Sequence, residues 1–210
     1  MTDNNVTFVS VAAATITVPP TVSSDAPEVY LIGAGLLIAT HDGSRWRFSA
    51  ETAAVRAGEK EQNLLLWLAD RLPLATTVIG WNIDKRVVPT LINAAAHADP
   101  AIAQHFMQRL ARALRNNVVD LSIDCSVAAA PGMSGEAATA RSMAPDVLLK
   151  SWGDGRLDVV RDGLAAEAIG TWLAFVRQGK APGMVAEQAT RDWIRRRCSI
   201  QSVKSGPGQA

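Results

Sequence analysis

A chain of 210 residues, 48% hydrophobic and 20% charged, has the length of one domain and enough apolar side chain for one sizeable core. Its 21 Lys and Arg against 20 Asp and Glu leave a net charge of +1, which excludes a global field that would draw the protein onto nucleic acid or an anionic membrane; any such binding is local. Cys125 and Cys198 fit neither a disulfide framework nor a zinc spacing, no apolar run reaches the roughly 18 to 20 residues of a membrane span, and Asp3 stands where a secretory leader would be basic, so a soluble cytoplasmic protein is expected, with the Ala, Val and Arg abundance of a GC-rich bacterial source.

NVTFVSVAAATITVP, residues 5–19, carries β-branched residues in partial alternation and is stopped by Pro19 and Pro20, which predicts a first strand. EVYLIGAGLLIAT (28–40) predicts a second, the turn residues His41, Asp42 and Gly43 follow, and SRWRFS (44–49) alternates as a third, making an antiparallel start. The Gly-x-Gly of Gly33 and Gly35 has no third glycine and no helix after it, so it predicts a strand in close backbone packing rather than a dinucleotide loop.

From Gly58 the period changes: Leu64, Leu65, Leu68 and Leu72 fall at helical spacing until Pro73. TTVIGW (76–81) reads as a buried strand of the parallel kind, residues 84–97 and 100–115 as helices divided at Asp99 and Pro100, and NVVDLSI (117–123) as one more strand. AAAPGMSGEA (128–137) is a loop, with Ser134 or Ser142 as caps for short helices after it. LDVVRDGLAAEAIGTWLAFVRQGK (157–180) is the longest helical pattern, with Leu164, Ile169, Leu173 and Val176 near one face and a close toward Gly179. AEQATRDWIRRRC (186–198) gives a basic amphipathic helix, and SVKSGPGQA has the composition of a disordered tail.

Three strands, then alternating helix and strand, then a helical carboxyl-terminal half imply an α/β three-layer fold with a mixed sheet of about five strands flanked by helices. The expected organisation is one domain over residues 1–180, a basic helix over 181–200 packed on or extending it, and a disordered tail over 201–210.

GWNIDKRVVPTL (80–91), VDLSIDCS (119–126) and DVLLKSWGDGRLDVVRDGLAAEAIGTWLAFVR (146–177) carry a family resemblance. The chain is similar, over about residues 5 to 180, to ribonuclease H-like 3′-5′ exonucleases of the DEDD type, especially the predicted exonucleases that resemble the proofreading domain of B-type DNA polymerases. Gly80, Trp81, Asn82, Pro89 and Leu91 fit the family's second motif, and the third stretch fits its third motif with its Trp-x-x-Gly-Arg lead-in. The resemblance implies a ribonuclease H-like fold and a site in which two Mg²⁺ or Mn²⁺ ions stabilise the attacking and leaving oxygens at a phosphate. Hard cations of this kind need oxygen ligands, which the family supplies as four carboxylates from three motifs.

Each carboxylate has a position that can be inspected here. The Asp-x-Glu of motif one should lie on the first strand, where alternation aims both at the metals, but no acid occurs between Asp3 and Asp25, and Ser10 and Ala12 or their neighbours take those places. The motif-two Asp falls on Val87, the motif-three Asp aligns with Glu167, and the residue that would orient the attacking water aligns with Gly163. One carboxylate of four is therefore left, which is too few to hold a metal pair. Asp84, three residues before Val87, is a substitute ligand if a helix has begun there, or else a helix-start acid favoured by the dipole with Asn82 as cap. Asp162 precedes Glu167 by five residues, about 500° of helical rotation, and points about 140° away.

Asp120 and Asp124 read as strand-end or turn residues. His41, His97 and His105 share no ligand or triad spacing, and neither cysteine has a neighbouring base. Arg191, Arg195, Arg196 and Arg197 beside Trp193 read either as a phosphate grip with a stacking indole or as a solvated helix face whose Trp193 and Ile194 dock on the domain.

The function expected is that of a catalytically degenerate 3′-5′ exonuclease-like domain without a cofactor, which binds single-stranded nucleic acid through Trp81, Asn82, Arg86, Arg195 and Arg196 or serves as a protein-interaction module. The alternative is an active metal-dependent exonuclease with relocated carboxylates, among them Asp84, Glu167 and Asp120.

Overall fold

Alternation along β1 (Val6–Val18) puts Phe8, Ala12, Ala14 and Ile16 into one apolar cluster and Val9, with Val11 and Ala13 beside it, into another. A strand that buries both faces belongs at the centre of a sheet with helices on either side. β1 takes that place in a computed structural model that describes residues 6–18, 28–74, 76–124, 144–179 and 183–204, with the side chains of 123–124, 183–184 and 198–204 outside the description. β2 (Glu28–His41) pairs antiparallel with β1 and with β3 (Trp46–Ala54), while β4 (Thr77–Gly80) and β5 (Asn117–Asp120) extend the sheet in parallel on the other side, in the order β3-β2-β1-β4-β5.

One face is covered by α1 (Gln62–Arg71), α2 (Val88–Ala96) and α3 (Pro100–Leu114), whose Leu64, Leu65, Leu68, Leu91, Phe106 and Leu110 close over Val9, Leu36 and Val78. A short helix α4 (Leu121–Asp124) follows β5. The other face is covered by α5 (Pro145–Gly153), α6 (Leu157–Arg177) and α7 (Gly183–Lys204), with Val160, Leu164, Trp172 and Phe175 packed on Phe8, Ala12 and Leu37. The fold is thus an α/β three-layer arrangement around a five-stranded mixed sheet. No described helix is long and apolar enough to cross a membrane.

Four boundaries differ from those the sequence suggests, the first three for a local reason. β3 continues five residues past Ser49 to Ala54, because the long β2 offers partners as far as Gly33 opposite Ala54. Pairing there overrides the weak strand preference of the alanines. The helix expected from residue 84 begins as a single π-helical turn, Ile83–Val87, in which both Arg86 and Val87 donate to the Asn82 carbonyl at 2.8 and 3.1 Å. The ring of Pro89 crowds the carbonyl four residues earlier, and a wider turn relieves that contact. β5 stops at Asp120, whose carboxylate accepts from the Ser122 N–H and bends the chain into α4. α7 runs on to Lys204, beyond residue 198. The loop at 128–137, the Ser134 and Ser142 caps, Cys125 and residues 205–210 lie outside the described residues.

Between Ala14 and Thr15 the register with β2 slips, so that Ile32 is the extra residue of a bulge. The Leu31 N–H beside it donates to the Glu61 carboxylate at the start of α1, and burial pushes the Glu61 carboxyl up. This joint bends β2 where β1 reaches the cleft described below.

Candidate functional site

The cleft lies where β1 runs past the end of β4. Ala13 and Ala14 of the sheet form its floor, and Leu148 of α5, Val160, Gly163, Leu164 and Glu167 of α6 and Arg86 of the π turn line it, around about 280 Å³ of space that includes its open mouth. Gly163 and Glu167 are one helical turn apart and so face the same way. Trp152 fixes the α5 wall, its indole N–H donating to the Val55 carbonyl at 2.8 Å.

The height of α6 above the floor is set by two glycines. A Cβ at Gly35 would stand 2.9 Å from the Leu164 carbonyl oxygen, and one at Gly33 would stand 2.7 Å from Leu164 Cδ1. The Gly-x-Gly of β2 is therefore a seat for a helix, in agreement with the close packing expected from the sequence.

Arg86 is placed by the turn between β4 and α2. Asn82 takes a left-handed conformation at φ 50°, and Asp120, opposite Gly80 at the end of the neighbouring β5, holds the turn. The Asn82 and Ile83 N–H groups donate to its two carboxylate oxygens at 3.0 and 2.7 Å, and the Ser122 N–H and hydroxyl donate at 2.9 and 2.7 Å. Burial pushes the Asp120 carboxyl up, but the Ser122 hydroxyl and the three N–H groups outweigh it and hold the group below the usual carboxylate range. A carboxylate that accepts from four donors is an anchor for the turn, and Asp120 is not among the residues that line the cleft.

The other nominated residues fall as follows. Asn82 does not cap the helix with its side chain, because the left-handed backbone turns it outward to solvent. Asp84 is exposed and outside the cleft lining, whereas Val87 is buried in the α1–α3 core, so the two do not share a face. That expectation assumed α-helical spacing, and the π turn has a wider one. Asp162 is exposed and also absent from the lining. Trp81 is half-buried against the α5–α6 cluster. Among the described residues no three His, Cys, Asp or Glu side chains converge as a metal site.

Arg195 and Arg196 are exposed, and α7 docks on β3 and α6. Its Trp193 packs on Phe48 with ring centres 5.6 Å apart, Arg197 covers the same indole at 5.5 Å, and Thr190 accepts from the Trp172 indole at 2.9 Å. Glu187 pairs with Arg177 and Arg191, and Arg195 with Asp192. Trp172 touches Phe8, near the start of β1, and Phe175 lies twelve residues from Gly163 along α6, about 18 Å at 1.5 Å per residue. The docked helix face is the arrangement seen, and its arginines do not join Arg86.

Ser10 is fully buried between Leu37 and Ile79, and its hydroxyl has no hydrogen-bond partner among the described residues. Ser10→Ala is expected to raise the thermal midpoint by about 2–4 °C, since an unsatisfied buried hydroxyl costs about 1 kcal/mol. A melt followed by circular dichroism checks it, and a lowered midpoint would show that the hydroxyl is bonded.

The chain is therefore a three-layer α/β domain with an open cleft, lined by Arg86 and Glu167 among others, near the ends of its parallel strands. No protein-family model, curated protein or solved structure matches it.

Proposed function

We propose that the chain is a ribonuclease H-like domain related to the DEDD-type 3′-5′ exonucleases, that its carboxylate site has degenerated, and that its cleft binds single-stranded nucleic acid in the cytoplasm without cleaving it. The observation that carries this reading is the composition of the cleft: alanines on the floor, one carboxylate, Glu167, and one cation, Arg86. Paired divalent ions bring four positive charges and need several hard anionic ligands to hold them. Glu167 supplies one, Val87 is buried elsewhere, and Asp120, outside the cleft lining, anchors the β4 turn through four donors. The same loss of acids lets a phosphate enter without net repulsion and meet a guanidinium.

The test uses a labelled single-stranded oligonucleotide, with anisotropy for binding and a denaturing gel for cleavage, in chelator and in magnesium or manganese. Binding without shortening is expected, and affinity should fall about two- to threefold per phosphate contact between 50 and 200 mM salt. Shortening abolished both by chelator and by Glu167→Gln would restore a metal-dependent exonuclease. A protein partner is the second reading, favoured by Val147 and Leu149, 46% and 51% exposed on α5 on either side of the cleft-lining Leu148. It predicts no oligonucleotide binding at either salt concentration.

A further inference from the structure

We propose that β3 is a self-pairing edge through which two copies of the chain join antiparallel into one continuous sheet, with Ser49 of each copy opposite Ser49 of the other. β3 ends the sheet, and among the described residues no strand pairs with its outer side. Natural sheets guard such edges with short strands, proline, bulges or charged side chains. This edge runs for nine residues without proline and without a register shift against β2, and its two charges, Arg47 and Glu51, are opposite in sign. Trp46 and Phe48 pack on Trp172, so the strand is held in place as a template.

Which backbone groups face outward follows from the pairing with β2. The Asp42 N–H donates to the Arg45 carbonyl beyond one end of the register, and the Val55 N–H donates to the Ile32 carbonyl beyond the other. Hydrogen-bonded pairs alternate along an antiparallel ladder, so Arg47, Ser49, Glu51 and Ala53 bond inward, while Trp46, Phe48, Ala50 and Thr52 present N–H and C=O groups to the open side. A second β3 must therefore oppose even positions to even ones.

With the twofold axis at Ser49, Trp46 meets Thr52, Phe48 meets Ala50 and Arg47 meets Glu51, and every outward residue from Trp46 to Thr52 is bonded. An axis at Arg47 or Glu51 opposes like charges, one at Ala50 pairs neither charge with the other, and one at Phe48 leaves Thr52 unbonded. Charge and hydrogen bonding thus select one isologous register. In it Arg47 and Glu51 form a non-hydrogen-bonded pair, the kind in which side chains approach most closely. Both have capacity left for the contact. The Arg47 side chain is 63% exposed and gives one NH₂ group to Asp42, and that of Glu51 is 40% exposed, with Arg71 on Oε2 and the Ser49 hydroxyl 3.5 Å from Oε1. Neither residue lines the cleft, so the joint is independent of what the cleft binds.

Sedimentation equilibrium of the full chain is expected to give twice its 22.3 kDa mass. Arg47→Glu and Glu51→Arg each oppose like charges at both symmetry-related contacts and should each weaken the dimer about tenfold. Mixing the two variants opposes unlike charges again at both contacts and should restore a dimer with one copy of each, which misfolding of either variant cannot mimic. Arg45→Glu, opposite Ala53 in this register, should leave the dimer intact. A monomeric wild type, or a mixture no more associated than either variant alone, overturns the proposal. Loss of the dimer in Arg45→Glu but not in Arg47→Glu overturns the register and with it the assigned pairing.

Discussion

Asp120→Asn is expected to lower the thermal midpoint at pH 7 by about 6–12 °C, because the carboxylate that joins β5 to the β4 turn accepts four hydrogen bonds and an amide accepts on one oxygen alone. One carboxylate oxygen takes the Ile83 N–H, and the other takes the Asn82 N–H and both donors of Ser122. Whichever way the Asn amide is turned, its NH₂ group faces a backbone donor. Hydrogen bonds to a charged group contribute about 1.5–3 kcal/mol each, and the orphaned N–H adds its own cost, so a loss of about 3 kcal/mol is the reasonable middle. The pH dependence has a definite sign. The folded-state pKa of Asp120 lies below its usual value, so the unfolded chain binds the proton more readily. The stabilisation is present above about pH 4 and is lost as pH falls through the lower folded-state value. Melts of wild type and variant should therefore differ widely at pH 7 and converge in acid. Equal midpoints at pH 7 would show that the turn holds its shape without Asp120.

The elements that were legible in the sequence are those whose apolar period matches the surface they bury. β1, α1 and α3 are of this kind; β2 is an unbroken apolar run, and on α6 the expected Leu164 and Val176 are buried while Ile169 and Leu173 are half-buried beside a core of Val160, Ala168, Trp172 and Phe175. The π turn was not legible, since Pro89 states only that an ordinary α-helical bond is missing and a wider turn is one of several remedies. Its consequence for the site was large: the spacing from Asp84 to Val87 put both on one face, and the chain puts one in solvent and the other in the core. Arg86 and Glu167 are the two nominated residues that line the cleft. Arg195 and Arg196 were grouped with them because a helical stripe reveals which side chains share a face, not what that face docks against; Phe48 and Trp172, distant in sequence, decide that. The anchoring role of Asp120 had a readable signal, an Asp with Ser two residues later at the end of an apolar strand, which is a local turn signature. Its bonds to Asn82 and Ile83 join positions 38 and 37 residues apart and had none.

Gly35→Ala is expected to destabilise the chain more than Gly33→Ala, by about 2 kcal/mol against 1 or less, although the nearest contact of a new Cβ is shorter at Gly33. The nature of the neighbour decides the order. At Gly33 the 2.7 Å contact is Leu164 Cδ1, the far end of a side chain that can take another rotamer, and the Ala53 carbonyl at 3.1 Å is tight but bearable. At Gly35 the contacts are the Leu164 oxygen at 2.9 Å, its Cβ at 3.1 Å and its carbonyl carbon at 3.2 Å, all fixed by the helix. Relief there requires α6 to rise from the sheet, which loosens Val160, Leu164, Ala168 and Trp172 together. Overpacking of this kind costs about 1–3 kcal/mol, and only part is offset by the roughly 0.4–1 kcal/mol that alanine gains over glycine by restricting the unfolded chain. Because α6 also carries Gly163 and Glu167, the Gly35 variant should widen the cleft and weaken oligonucleotide binding, while the Gly33 variant leaves it unchanged. Urea denaturation of the two variants measures the order directly. A Gly33→Ala cost equal to or above that of Gly35→Ala would mean that α6 rests on the Leu164 side chain rather than on its own backbone.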